Sequence, residues 1–184
     1  MRRLPFFIIA ALTIINIACN STTNVLEEYR EWRNINEEWF QEQTTRTDEN
    51  GNLYYKKITP AWSPSDYVLV HYFNDRNLTA GNLSPLYTST VDVKYIGRFY
   101  NDEAFDSSYT RTAAYGDSIY RTTCGNVISG WTAVLEDMHV GDSCEVIIPY
   151  ALGYGDAVSS AIKPYSMLKF NIKLVNIPYY EIKP

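Results

Sequence analysis

The chain has 184 residues, with 16 basic and 21 acidic side chains, a formal net charge of −5 and 46% hydrophobic residues. This composition is typical of a globular protein with enough apolar side chains for one core, and it excludes a disordered chain. The excess of negative charge argues against a nucleic acid partner, because phosphates attract basic surfaces.

The N-terminus has the pattern of an export signal. Arg2 and Arg3 precede an apolar run from Leu4 to Ile15, and the segment ends in Ala18-Cys19. A basic start, a short apolar run and a small residue before the cleavage point are typical of a secretory signal, and the run is too short to span a membrane comfortably. The sequence therefore predicts a signal peptide over residues 1–18.

The end of this segment resembles a lipoprotein signal, in which a small residue precedes the cysteine that is acylated. The resemblance implies a lipidated tether over residues 19–24, since two or more acyl chains on Cys19 would anchor the protein stably. It also implies a location in the cell envelope, facing the periplasm. Asn20 is not the aspartate that retains lipoproteins at the inner membrane, which favours the outer membrane. Cleavage of a plain signal peptide nearby is the alternative.

A helix and a linker are predicted over residues 25–50. Apolar side chains recur there at spacings of three and four, as in an amphipathic helix over residues 25–43: Leu26, Tyr29, Trp32, Ile35 and Trp39. Asn24 and Glu27 have the spacing of an N-terminal capping pair. The apolar stripe is expected to pack on the domain that follows, and the alternative is contact with a partner.

The remainder, residues 51–184, is predicted to be a single α+β domain. A short helix is expected over residues 131–138, and β-branched and aromatic runs predict strands at 53–58, 67–73, 90–100, 118–123, 143–148 and 167–177. Several antiparallel strands with one short helix favour a sheet wrapped around that helix. Cys124 and Cys144 lie in strand-like runs, where two buried free thiols are favoured over a disulfide bond.

The second half of the chain resembles the FKBP family of peptidyl-prolyl cis-trans isomerases. The resemblance rests on motifs in the family's order across residues 90–177: Val93-Lys94-Tyr95-Ile96-Gly97, Phe105-Asp106-Ser107-Ser108, Val127-Ile128-Ser129-Gly130-Trp131, Met138 to Gly141, Ile148-Pro149, Leu152-Gly153-Tyr154-Gly155, Ile162-Lys163-Pro164 and Leu168-Lys169-Phe170. It implies an FKBP-like fold, with a curved antiparallel half-barrel around the short helix and the N-terminal helix as an extension.

The resemblance also implies a set of site residues. Trp131 would form the floor of an apolar pocket, and its walls would be Tyr95, Phe105, Val127, Ile128, Ile162 and Phe170. Asp106 and the Tyr154 hydroxyl would be its polar points, the Ile128 N–H would contact a substrate carbonyl, and Arg111 would pair with the aspartate. Ile119 and Tyr120 are both candidates for a further aromatic position. The catalytic group would be Tyr95, Phe105, Asp106, Trp131, Tyr154 and Phe170, and the substrate-binding group Arg111, Val127, Ile128 and Ile162.

The implied function is isomerisation of X–Pro bonds in exported, proline-containing polypeptides. The chemistry needs no nucleophile and no cofactor. No metal is expected either, because His71 and His139 are the only histidines and neither has a second ligand nearby at useful spacing. A non-catalytic FKBP-like binding or chaperone module is the main alternative, and a glycan-binding lipoprotein is a third.

Overall fold

The computed structural model describes residues 27–110, 117–157 and 161–181. The predicted signal peptide, the tether beginning at Cys19 and Arg111 lie outside these residues. Two helices are described, α1 (Arg30–Thr45) and α2 (Ser129–Asp137). The strands are β1 (Lys56–Ile58), β2 (Val68–Tyr72), β3 (Thr90–Phe99), β4 (Ala104–Ser107), β5 (Tyr120–Thr123), β6 (Ser143–Ile148) and β7 (Leu168–Tyr179).

Within the described part of the chain, the strands form one antiparallel sheet in the order β1-β2-β6-β7-β3-β4. Strand β3 is long enough to pair with two partners along the same edge. Its first half pairs with β5, from Thr90 to Val93, and its second half pairs with β4 around Gly97. Because β7 covers the opposite edge of β3, this strand connects β4, β5 and β7, the three other strands that contribute residues to the site described below.

Helix α2 packs on one face of the curved sheet. Trp131, Val134 and Leu135 are buried there among side chains of β2, β3, β6 and β7. A Cβ atom on Gly130 would lie 2.4 Å from Ile148 Cγ2, so glycine is what lets the helix approach β6 this closely. This arrangement confirms the predicted α+β fold, with a sheet around one short helix and a second helix at the N-terminus.

Helix α1 packs against the opposite face of the same sheet. Side chains alternate between the two faces of a strand, so Leu69 and Ile147 point away from α2 and join a second apolar cluster with Phe40. The buried positions of α1 are Asn36 and Phe40. The predicted stripe was partly wrong, because Ile35 is 38% exposed while a polar residue, Asn36, is buried beside it. None of the described helices is long and apolar enough to cross a membrane.

The predicted strand over 53–58 is shorter in the structure, where β1 begins at Lys56. The backbone just before β1 pairs elsewhere: the Tyr54 N–H donates to the Arg46 carbonyl at 2.8 Å, and Leu53 bridges to Thr47. The other predicted strands are found with small shifts in their ends. Strand β4 was not predicted, because it is only four residues long and ends in Asp106-Ser107, which is typical of a turn.

Cys124 and Cys144 are both buried and unpaired, as the favoured expectation had it. Burial raises the pKa of the Cys124 thiol to about 12, and it raises the pKa of Cys144 as well. The sulfur of Cys144 lies 4.0 Å from that of Met138, inside the core.

Candidate active site

A cavity of about 460 Å³ opens between α2 and the sheet. Seven of the residues predicted for the site line it, together with two others: Tyr95, Asp106, Tyr120, Asn126, Val127, Ile128, Trp131, Tyr154 and Phe170. Aromatic and branched walls with a few polar groups are the usual form of a small-ligand or peptide site.

Three buried aromatic rings form what we call the floor of this cavity: Tyr95, Trp131 and Phe170. Trp131 lies in the first turn of α2, and its ring stands edge-on to Tyr95 at 5.0 Å and to Phe170 at 5.3 Å between centroids. Such edge-to-face contacts are the favoured geometry of aromatic pairs. Each ring comes from a regular element, Tyr95 from β3 and Phe170 from β7, so the sheet register and the helix fix their positions.

Gly97 of β3 allows the aromatic rings of the two strands on either side of β3, β4 and β7, to approach each other. It pairs with Asp106 of β4 on one side and with Phe170 of β7 on the other. A Cβ atom at this position would lie 2.6 Å from Phe170 Cε1 and 2.8 Å from Phe105 Cζ. The absence of a side chain therefore allows Phe105 and Phe170 to meet edge-on, with their centroids 5.6 Å apart.

The polar side of the cavity centres on Asp106. Its Oδ2 accepts a hydrogen bond from the Tyr95 hydroxyl at 2.6 Å, and its Oδ1 accepts from the Ser107 N–H at 2.8 Å. Tyr120, one of the two candidates for the further aromatic position, lines the cavity and packs edge-on against Tyr95 at 5.6 Å. These contacts fix the orientation of the carboxylate beside the apolar floor.

The segment that leads into α2 places backbone atoms at the cavity. The Thr132 hydroxyl donates to the Cys124 carbonyl at 2.7 Å, which holds the short 3₁₀ turn over Cys124–Asn126 against the helix. The Ile128 carbonyl accepts from the N–H groups of Trp131 and Thr132. Among the described residues, nothing accepts a hydrogen bond from the Ile128 N–H.

Tyr154 lies on the loop between β6 and β7 and is 50% exposed. The N–H groups of Gly153 and Gly155 both donate to the Tyr150 carbonyl, at 3.0 and 2.9 Å. Gly155 has φ +73°, a conformation that glycine adopts without steric cost. This tight turn presents the tyrosine ring at the mouth of the cavity.

Two predicted wall residues lie beside the lining rather than in it. The Phe105 ring is half-buried and packs between Phe99, at 4.9 Å, and Phe170. Ile162 is buried in the main core. Asn126 lines the cavity but was not predicted, although its place directly before Val127-Ile128 could have identified it. In the residues that the structure describes, no three His, Cys, Asp or Glu side chains gather as metal ligands.

Comparison with known proteins gives related sequences over the same region. The family model of the FKBP-type peptidyl-prolyl cis-trans isomerases matches residues 82–175. The macrophage infectivity potentiator of Trypanosoma cruzi is 35% identical over 99 residues, 53% of this chain and 48% of that protein. The isomerase FkpA of Escherichia coli K12 is 35% identical over 104 residues, 55% of this chain and 37% of that protein. The matched region thus spans less than half the length of these relatives.

Solved structures share the fold. The crystal structure of FkpA from Escherichia coli superposes with a TM-score of 0.67 at 22% identity, covering 86% of this chain and 65% of that one. An isomerase structure from Pseudomonas syringae gives a TM-score of 0.57 at 22% identity and covers 85% and 95% of the two chains. The family model extends over half of the sequence and contains every residue that lines the cavity. The chain therefore belongs to the family of FKBP-type peptidyl-prolyl cis-trans isomerases.

Proposed function

We propose that this protein catalyses the cis–trans isomerisation of X–Pro peptide bonds in exported polypeptides. The observation that carries the proposal is the cavity itself, in which an apolar floor of Tyr95, Trp131 and Phe170 faces a single oriented carboxylate, Asp106. Membership of the family and the cavity's lining support the same activity.

The reaction requires rotation about a bond whose barrier is about 18–20 kcal/mol because of amide resonance. A twisted amide has lost the charge separation of the planar form, so it prefers an apolar environment more than the planar amide does. Trp131 and Phe170 would surround the proline ring with such an environment. Binding the twisted amide more tightly than the planar one lowers the barrier without a covalent step. No cofactor and no metal enters this scheme.

Polar groups at the edge of the cavity would hold the peptide while one bond rotates. The Ile128 N–H would donate to a substrate carbonyl, and the Tyr154 hydroxyl would do so from the mouth. Holding the peptide at these points keeps the X–Pro bond inside the apolar pocket while it rotates. Asp106 would orient the site through Tyr95, and Arg111 remains a predicted partner of that carboxylate.

The direct test is an X–Pro isomerisation assay on the full-length chain, with Phe105→Ala as the site variant. We expect the wild type to accelerate exchange, and the variant to lose most of that activity because Phe170 loses the ring that packs against it. Phe73→Ala removes a ring of the same type that is exposed at the end of β2, and it should leave the activity unchanged.

A folded wild type that binds X–Pro peptides but does not accelerate their exchange would contradict the proposal. That result would identify a non-catalytic binding or chaperone module of the same fold. Equal loss of activity in Phe105→Ala and Phe73→Ala would also contradict the assigned site.

We further propose that Cys19 carries a lipid that anchors the protein to a membrane of the cell envelope, facing the periplasm, with the outer membrane favoured. The support is the apolar run ending in Ala18-Cys19. We expect wild-type protein to sediment with membranes, and Cys19→Ala to be released or incorrectly processed. Equal membrane recovery of both forms, with no lipid mass on Cys19, would contradict the anchor.

A further inference from the structure

Helix α1 contacts the segment that carries Tyr154. We call residues 150–157 and 161–167, which lie in the connection between β6 and β7, the rim segment. Its N-terminal part bears Tyr154 at the mouth of the cavity, and its C-terminal part bears Ile162 and returns to β7. The family match begins at residue 82, so α1 lies outside the region by which the family is recognised.

Two side chains on one face of α1, Trp32 and Asn36, form hydrogen bonds with the rim segment. The Met167 N–H donates to Asn36 Oδ1 at 2.9 Å, and Asn36 Nδ2 donates to the Trp32 carbonyl at 2.8 Å. The Trp32 indole N–H donates to Ser166 Oγ at 3.1 Å. Because Asn36 is fully buried, loss of its side chain would leave a buried backbone N–H without an acceptor.

A first series of contacts connects α1 to the backbone next to Ile162. The Ser166 hydroxyl, which accepts from Trp32, itself donates to the Lys163 carbonyl at 2.8 Å. Lys163 directly follows Ile162, and its ammonium lies 4.4 Å from the centre of the Trp32 ring. Trp32 therefore contacts both the backbone turn and the charged side chain next to Ile162.

A second series of contacts connects α1 to the backbone next to Tyr154. The guanidinium of Arg33 lies over the Tyr165 ring, at 5.1 Å from its centroid, and the Tyr165 ring packs edge-on against Tyr150. Tyr165 has φ +60°, which is uncommon for a residue with a side chain and persists where its surroundings hold it. In this conformation its N–H donates to the Gly155 carbonyl at 3.0 Å, next to Tyr154.

We propose that α1 positions the rim segment over the cavity, with Trp32, Arg33 and Asn36 as positioning residues for X–Pro binding. The inference rests on the proposed function for its substrate, but the contacts that carry it are independent of that function. None of the three side chains lines the cavity. These three side chains act by fixing the positions of Tyr154 and Ile162, so α1 contributes indirectly to the peptide-binding site.

The test compares Trp32→Phe and Asn36→Ala with the wild type in the full-length chain. Because the rim would hold the peptide equally before and during rotation, its displacement should raise KM by about tenfold and leave kcat nearly unchanged. A purely structural role predicts the opposite, since partial unfolding removes active enzyme and lowers the apparent kcat at constant KM. Because Trp32→Phe keeps an aromatic ring, this variant should fold even if Asn36→Ala does not.

Asn74→Ala is the matched control, because Asn74 makes the same kind of hydrogen bonds as Asn36 but with residues outside the rim segment. Its Oδ1 accepts from the Ser143 N–H at 2.8 Å and its Nδ2 donates to Asp142 Oδ1 at 2.9 Å, so its loss should lower the melting temperature without raising KM. Asn34→Ala, at an exposed position of α1, should change neither quantity.

Amide hydrogen exchange supplies a readout that needs no enzyme activity. We expect the Gly155 and Tyr165 amides to exchange about tenfold faster in Trp32→Phe and Asn36→Ala than in Asn74→Ala, because local opening follows lost local contacts. Unchanged KM and unchanged exchange in both variants would overturn the proposal, as would an equal effect in Asn74→Ala. An inactive wild type would refute the proposed function alone, and the exchange result would still decide whether α1 positions the rim.

Discussion

The floor and the rim of the cavity are built in different ways. The floor rings of Tyr95, Trp131 and Phe170 are 3–4% exposed and come from two strands and a helix whose hydrogen bonds fix them. Tyr154 on the rim is 50% exposed and is placed by a glycine turn and by contacts that lead back to α1. Substitutions in the floor should therefore change stability and activity together, whereas substitution of Tyr154 at the mouth should change peptide binding alone.

The largest effect is expected from Trp131→Ala. Removing a buried tryptophan that contacts Tyr95 and Phe170 should lower the free energy of unfolding by about 3–5 kcal/mol and abolish isomerisation. Urea denaturation and the X–Pro assay measure the two effects. Trp62→Ala, at an exposed tryptophan, should cost less than about 0.5 kcal/mol. A fully stable but inactive Trp131→Ala would show that the floor is not part of the folding core.

An intermediate effect is expected from Gly97→Ala. The added methyl group would lie 2.6 Å from Phe170 and 2.8 Å from Phe105, so the rings must separate. Overpacking of this kind costs about 1–3 kcal/mol, and the altered floor should also reduce kcat. Gly81→Ala is the matched control, because a Cβ atom there would have no neighbour within 4 Å. Equal melting temperatures and rates for the two variants would contradict the close packing at Gly97.

The smallest effect is expected from Tyr154→Phe. The substitution removes one hydroxyl from an exposed ring, so the loss should not exceed one hydrogen bond, about 0.5–1.5 kcal/mol of peptide binding. We expect a modest increase in KM with an unchanged melting temperature, measured by steady-state kinetics and by thermal denaturation. A loss of stability close to that of Trp131→Ala would remove the distinction between floor and rim.

The parts of the fold that the sequence predicted well have strong local signals. Residues 143–148 carry a run of β-branched and apolar side chains between Gly141 and Pro149, and β6 has those bounds. Trp131, Tyr95 and Phe170 were assigned to the pocket by the resemblance to the FKBP family, and in the structure the sheet register and α2 bring their rings together. The local pattern was sufficient for β6, whereas the pocket residues needed the resemblance.

Other features depend on distant contacts and leave little local trace. Strand β4 has a turn-like sequence and becomes a strand only by pairing with β3. Asn36 is polar and its neighbour Ile35 is apolar, yet the polar residue is buried because it accepts a hydrogen bond from Met167, far along the chain. Phe105 was expected in the cavity wall, and its ring instead packs between Phe99 and Phe170.

The two unpaired thiols have a consequence for chemical reactivity. Only the thiolate attacks oxidants and alkylating reagents. Burial raises the pKa of the Cys124 thiol to about 12, so this thiol stays protonated at neutral pH. Cys144 is fully buried, and its pKa is raised as well. The folded protein should therefore resist oxidation and alkylation at both sulfurs. Because opening of the surrounding structure exposes these thiols and restores their ordinary pKa, the rate of alkylation at Cys124 and Cys144 reports how often the structure that buries them opens.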